Sequence, residues 1–131
     1  MHTLNCYLLG RNGRHWTAVG TPGGDRQVQW DVQVISNLLD HGMDVQQAVE
    51  APRWVSWLGT DPALIDTPMQ FHYEDRFDPN VIAEMERRGH RVDSMTEWGG
   101  GGALQVIARD ESGVLSGGVR SAIEGCVALG W

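Results

Sequence analysis

The sequence predicts an α+β domain with a mainly antiparallel sheet, and three observations carry that prediction. Strand-like runs at 4–9 and 14–19 flank Gly10-Arg11-Asn12-Gly13, and runs at 103–108 and 114–117 flank Asp110-Glu111-Ser112-Gly113. Asn-Gly between two such runs is a strong hairpin signal, because both residues accept the left-handed backbone of a two-residue turn. The helical segments join hairpins instead of alternating with single strands, which favours α+β over a wound parallel sheet. Finally, Gly20-Thr21-Pro22-Gly23-Gly24-Asp25 separates the β-branched and aromatic run 16–19 from a helical pattern of Val28, Val32, Ile35, Leu38 and Leu39.

The remaining elements follow in order. The first helix is expected over about 25–41, with Asp25 favouring its N-terminus by capping and charge, and Gly42 as its C′ residue. His41 sits where an imidazolium is favoured and reads as a cap. Asp44 with Gln47 marks the start of a second, short helix that Pro52 ends. Runs 53–58 and 69–73 are strand candidates on either side of the turn-rich stretch 59–68. Asp78-Pro79 opens a third helix with Pro at its first position. Val81, Ile82, Met85 and Ala83 supply its apolar face, and Gly89 stops it. A strand at 91–94 and the run Gly99-Gly100-Gly101-Gly102, read as a flexible loop near a substrate, precede the second hairpin. No repeat or linker divides the chain, so residues 1–131 form a single domain or part of one.

Composition narrows the function classes. Hydrophobic residues make up 41%, which suits a folded chain. Ten basic residues against 17 acidic ones give a net charge of -7, which disfavours nucleic acid as a partner. No apolar run approaches the length of a membrane span. Cys6 and Cys126 are too few for a disulfide framework, and no metal-ligand spacing occurs. The glycine run lacks a helix signature after it and makes a poor phosphate cradle. No metal and no cofactor is implied. Residues 1–5 lack the pattern of a signal peptide. A soluble chain is expected, cytoplasmic or periplasmic, with any targeting segment upstream.

The chemistry concentrates at Pro22-Gly23-Gly24. Glycines at a strand-to-helix junction bare N–H groups at the positive end of a helix, where an anion or developing oxyanion can be held; a plain tight turn is the alternative. Three blocks extend this reading. They are Met1-His2-Thr3-Leu4-Asn5, Gly20-Thr21-Pro22-Gly23-Gly24-Asp25, and the long segment 38–53 that ends in Ala51-Pro52-Arg53. Together they resemble the C-terminal part of the small subunit of γ-glutamyltranspeptidases, members of the N-terminal nucleophile hydrolases. Weaker similarity continues through Gly89-His90-Arg91-Val92 to Ala128-Leu129-Gly130-Trp131.

The resemblance implies part of a four-layer αββα sandwich, with Gly23 and Gly24 as an oxyanion hole through their backbone N–H groups. His2 and Thr3 align with a Ser-Ser pair that grips the carboxylate of a γ-glutamyl substrate. Thr21 stands where many relatives have Ser, either fixing the turn or touching substrate. The changed pair leaves γ-glutamyl specificity open and also suits an acylase acting on another amide; whether glutathione is the substrate stays open too. The tail 118–125 departs from the family's Asp-Pro-Arg motif. The nucleophile, a threonine freed by self-cleavage, is expected upstream, since no Thr here matches it. The implied partner is therefore the upstream remainder of the same enzyme, its large subunit and the N-terminal part of the small one. This chain alone is expected to be inactive. The alternative is a stand-alone binding module that lacks the nucleophile. A sandwich cut through its core should leave apolar strand faces uncovered, with Leu4, Leu8, Trp16, Ala18, Leu104, Val106 and Ala108 as contributors.

Overall fold

A computed structural model describes residues 4–57, 63, 66–121 and 126–129. The chain divides into two compact units, Met1–Ala51 with Gly102–Trp131, and Pro52–Gly101.

The first unit is built on the two predicted hairpins. Strands β1 (Leu4–Arg11) and β2 (Arg14–Pro22) are joined by Asn12 and Gly13, with φ of 52° and 75°. Strands β6 (Gln105–Arg109) and β7 (Leu115–Val119) form the second hairpin. All pairs are antiparallel, and β2 joins β6 to give the order β1-β2-β6-β7. A 3-10 turn, Gly24–Arg26, leads from β2 into α1 (Gln27–Leu39), and α2 (Val45–Glu50) follows. The core holds Val19, Val34, Val49, Leu104 and Val106, with Tyr7, Leu38 and Val45 packed against it.

Register decides which strand residues reach that core. Tyr7 pairs with Val19, Val19 with Val106 and Val106 with Gly118, and these share the face toward the helices. Leu8, Ala18, Ile107 and Gly117 are paired in the row behind, on the opposite, open face. Leu8, Ile107 and Leu115 are 64%, 51% and 66% exposed. The open apolar face is therefore present, but its expected β6 members were of the wrong parity. Leu104 and Val106 are buried in the core, and Ile107 takes their place outside. In a strand, a one-residue change of parity moves a side chain to the other face.

The helix faces needed a similar correction. On α1 the buried residues are Gln27, Trp30, Asp31 and Val34, while Val28 and Val32 are exposed. The apolar periodicity located the helix but not its rotation. Asp25 provides no side-chain cap; it adds only a negative charge to the first turn. By contrast, the capping box of α2 is complete. Asp44 accepts from the Gln47 N–H at 2.8 Å, and the Gln47 side chain accepts from the Asp44 N–H at 3.1 Å.

Strand β7 explains its own glycines. A Cβ at Gly118 would lie 2.5 Å from the Val45 carbonyl oxygen, and one at Gly117 would lie 2.7 Å from the Ala128 Cβ. The strand thus passes between the start of α2 and a residue of the tail. Arg120, in the stretch that departs from the family motif, is fully buried. Its Nη1 donates to the carbonyls of Val49 and Ala51 at 3.0 and 3.3 Å, satisfying groups at the C-terminal end of α2.

The second unit contains β3 (Trp54–Trp57), β4 (Gln70–Glu74), α3 (Pro79–Arg87) and β5 (Val92–Met95), in sheet order β3-β4-β5. The β3–β4 pair is antiparallel, and β4 and β5, connected through α3, are parallel. Helix α3 starts as predicted, with Pro79 in its first turn and the Asp78 carboxylate accepting from the Asn80 N–H at 2.8 Å. Ile82 is its buried residue; Val81 and Ala83 face solvent. At the centre lies Glu74, fully buried, which accepts from the N–H groups of Arg53 and Gly100 at 3.0 and 3.1 Å and pairs with Arg76 at 2.8 Å.

Candidate active site

The turn after β2 is held by buried groups from three places in the first unit. The ladder ends at Pro22, so Gly23 and Gly24 leave the sheet. Their φ values are 157° and 57°. The Arg26 N–H donates to the Gly23 carbonyl at 3.3 Å, and the Gln27 N–H closes onto the Gly24 carbonyl. Among the described residues, the N–H groups of Gly23 and Gly24 donate no hydrogen bond. They precede a helix of 13 residues, where unpaired donors favour negative charge.

Thr21 is 3% exposed and its hydroxyl donates to the Pro22 carbonyl at 2.9 Å. Its own carbonyl accepts from Gln27 Nε2 at 2.8 Å, in a buried bond. Beneath the turn lies Trp30, 2% exposed. A Cβ at Gly23 would lie 2.3 Å from Trp30 Cζ3. Gly102 closes the other side: a Cβ there would lie 2.7 Å from Trp30 Cζ3 and 2.9 Å from the Pro22 oxygen. The Trp30 ring is thus packed against two glycines 79 positions apart in sequence (102 less 23).

Of the predicted site residues, Thr21, Gly23 and Gly24 come together here, while His2 and Thr3 lie outside the described residues. Sequence reasoning missed Gln27, Trp30 and Gly102. The available signal for Gly102 was its place in the glycine run, which read as a flexible loop. The packing instead requires small residues in it. Among the described residues, no group of three or more His, Cys, Asp or Glu side chains is arranged to hold a metal ion. A shallow, mostly apolar hollow of about 950 Å³ runs along the open sheet face from Leu8 and Ala18 to Thr21 and Pro22.

One turn along α1 from Gln27, Asp31 is 6% exposed, and its Oδ1 has no hydrogen-bond partner among the described residues. Burial pushes its carboxyl up to about 6. Tyr7, whose hydroxyl donates to the Asp31 carbonyl at 3.4 Å, is held well above the usual phenol range by burial and by the Asp31 charge. The folded-state value of Asp31 exceeds the unfolded one, so the folded chain keeps the proton longer. Stability from this group is full below about pH 4 and is lost as pH rises through 6. Asp31→Asn is expected to remove that dependence and to stabilise the chain by about 2 kcal/mol at pH 7.5. Urea unfolding at pH 4.5 and 7.5 checks this; equal effects at both pH values would exclude it.

These elements define a class. The α+β fold, with mainly antiparallel sheets, is that of the N-terminal nucleophile hydrolases. A solved γ-glutamyltranspeptidase from Pseudomonas nitroreducens, complexed with L-DON, matches at a TM-score of 0.78 and 21% identity, over 100% of this chain and 64% of that one. A cephalosporin acylase from Bacillus halodurans matches at a TM-score of 0.78 and 33% identity, over 92% of this chain and 21% of that one. The chain belongs to the γ-glutamyltranspeptidase family, whose model matches residues 1–126. It is 32% identical over 124 residues to the glutathione hydrolase-like YwrD proenzyme of Bacillus subtilis, covering 89% of this chain and 22% of that proenzyme. The chain thus spans well under half the length of the curated relatives it matches. No helix among the described residues is long and apolar enough to cross a membrane.

Proposed function

We propose that this chain is the oxyanion-stabilising segment of an enzyme that cleaves or transfers γ-glutamyl amides. The observation that carries the reading is the turn: two glycine N–H groups with no acceptor among the described residues, placed at a helix start on a buried Trp30 platform. A threonine from polypeptide outside this sequence attacks the amide carbonyl through its hydroxyl oxygen. Its α-amino group takes the hydroxyl proton and passes it to the leaving amine. The tetrahedral oxygen, now negative, accepts from Gly23 and Gly24. The acyl-enzyme then transfers its acyl group to water or to an amine. Donors fixed in advance by Trp30, Gly102 and Gln27 need no reorganisation as charge develops.

The test removes one donor without adding atoms. An amide-to-ester replacement at residue 24, by a glycolic acid unit in place of glycine, deletes the N–H and keeps the turn. In the intact enzyme that contains this chain, kcat on a γ-glutamyl anilide should fall roughly 100- to 1,000-fold with KM little changed. An unchanged kcat for esters at both 23 and 24 would exclude the oxyanion role.

A second reading, an acylase acting on other amides, is favoured by the match to the cephalosporin acylase and by His2 in place of a small hydroxyl residue. It differs in the acyl donor, not in the turn. A higher kcat/KM for an acyl anilide that lacks the γ-glutamyl α-amino group would select it.

A further inference from the structure

The chain carries ten basic residues, all arginine, and at least five are engaged. Arg53 and Arg76 meet Glu74, Arg87 and Arg88 meet Glu84, and Arg120 holds backbone carbonyls. Among the described residues, Arg11, Arg14, Arg91 and Arg109 have no carboxylate within ion-pair distance. Three of those four gather in one place. Arg11, Arg14 and Arg109 line a single hollow of about 650 Å³ at the tips of the two hairpins.

The hollow is partly organised in advance. The Arg11 guanidinium stacks over the Trp16 ring at 4.7 Å, which limits its freedom and favours a planar cation there. His15 lines the same hollow, with Asp110 and Glu111. The Asp110 carboxylate is already engaged in its own turn, accepting from the Ser112 hydroxyl at 2.7 Å and the Val114 N–H at 2.9 Å. Three guanidinium groups therefore share the hollow with two carboxylates, a local excess of positive charge in a chain of net charge -7.

The hollow adjoins the open face of the sheet. Arg109 pairs with Leu115 and alternates with Ile107 on β6, so it shares the face of those two exposed side chains. That face is an apolar floor with a basic end. The basic end, at Arg14, lies at the opposite end of β2 from the Thr21–Gly24 turn, about 26 Å away by strand rise over eight residues. The inference therefore stands apart from the catalytic reading.

We propose that Arg11, Arg14 and Arg109 dock the carboxylates of an acidic polypeptide segment at the hairpin tips. Guanidinium groups bind carboxylates through paired N–H donors, which gives register as well as attraction. The curated relatives supply ample further polypeptide, since this chain matches only 22% of the length of one of them. A polynucleotide is disfavoured by the overall negative charge.

The probe is an acetylated, amidated hexaglutamate peptide titrated into the full chain. Calorimetry should give a salt-sensitive affinity, and nuclear magnetic resonance should shift the Trp16 indole and the residue 14 and 109 amides. The Arg14→Ala/Arg109→Ala double variant should bind at least tenfold more weakly. Arg91→Ala, which leaves the hollow intact, should bind as the parent does, and hexaglutamine should not bind. Absence of hexaglutamate binding, or binding unaltered in the double variant, would overturn the proposal. Inorganic phosphate that binds as tightly and displaces the peptide would reduce the hollow to a general anion site and would also overturn it. So would salt-sensitive dimerisation lost in the double variant, which would put a second copy on the tips.

Discussion

Gly23→Ala should cost the chain about 3 kcal/mol or more of folding stability. The added methyl would enter 2.3 Å from Trp30 Cζ3, a distance no packed carbon tolerates. The ring cannot retreat easily, because Trp30 is 2% exposed and Gly102 also abuts its Cζ3 edge. Nor can the turn move, since the Gln27 side chain ties the Thr21 carbonyl to α1. Denaturant titration should show the loss, and Trp30→Leu in the same chain should restore part of it by vacating the clash. That recovery separates a steric cause from a backbone one. A single variant within 0.5 kcal/mol of the parent would show that the turn is not packed as described.

Glu74→Gln is expected to be as damaging, through charge. The Glu74 oxygens accept from the N–H groups of Arg53 and Gly100 and from the Arg76 guanidinium, all in a site with no solvent exposure at Glu74 itself. Glutamine keeps the shape but turns an NH₂ toward groups that are themselves donors. It also leaves the 2%-exposed Arg53 without its anion. Removing one partner of a buried ion pair typically costs 3–5 kcal/mol. The Arg53 Nη2 contact to the Gly101 carbonyl should loosen with it. Hydrogen exchange should therefore accelerate at Arg53 and Gly100 first. Exchange unchanged at Gly100 would show that Glu74 does not hold the glycine run.

Local chemistry made much of this legible in the sequence. Asn12-Gly13 specified a hairpin, because a two-residue turn needs left-handed backbone at both positions. Asp44 and Gln47 specified α2 through side-chain capping within three residues. Pro79 after Asp78 specified the start of α3. The Pro22-Gly23-Gly24 turn was legible as a junction between strand and helix for the same reason: each signal acts between neighbours in the chain.

What needed the tertiary structure involved partners far apart in sequence. The apolar residues of α1 marked a helix, but its rotation was set by Trp30 under Gly23 and by Gln27 reaching Thr21, so Val28 and Val32 point outward. The parity of β6 was set by pairing with β2, which buried Val106 and exposed Ile107. Gly102 read as a flexible loop residue until its approach to Trp30 and Pro22 gave it a steric reason. The sequence by itself determined the element types, the turn and the family resemblance, because those rest on local backbone preference and ordered motifs. Only the tertiary structure decided which faces are buried, which arginines meet a carboxylate among the described residues, and what holds the turn. Those depend on close contacts between residues far apart in sequence, such as Gly102 on Trp30 and Pro22, and no local pattern encodes them.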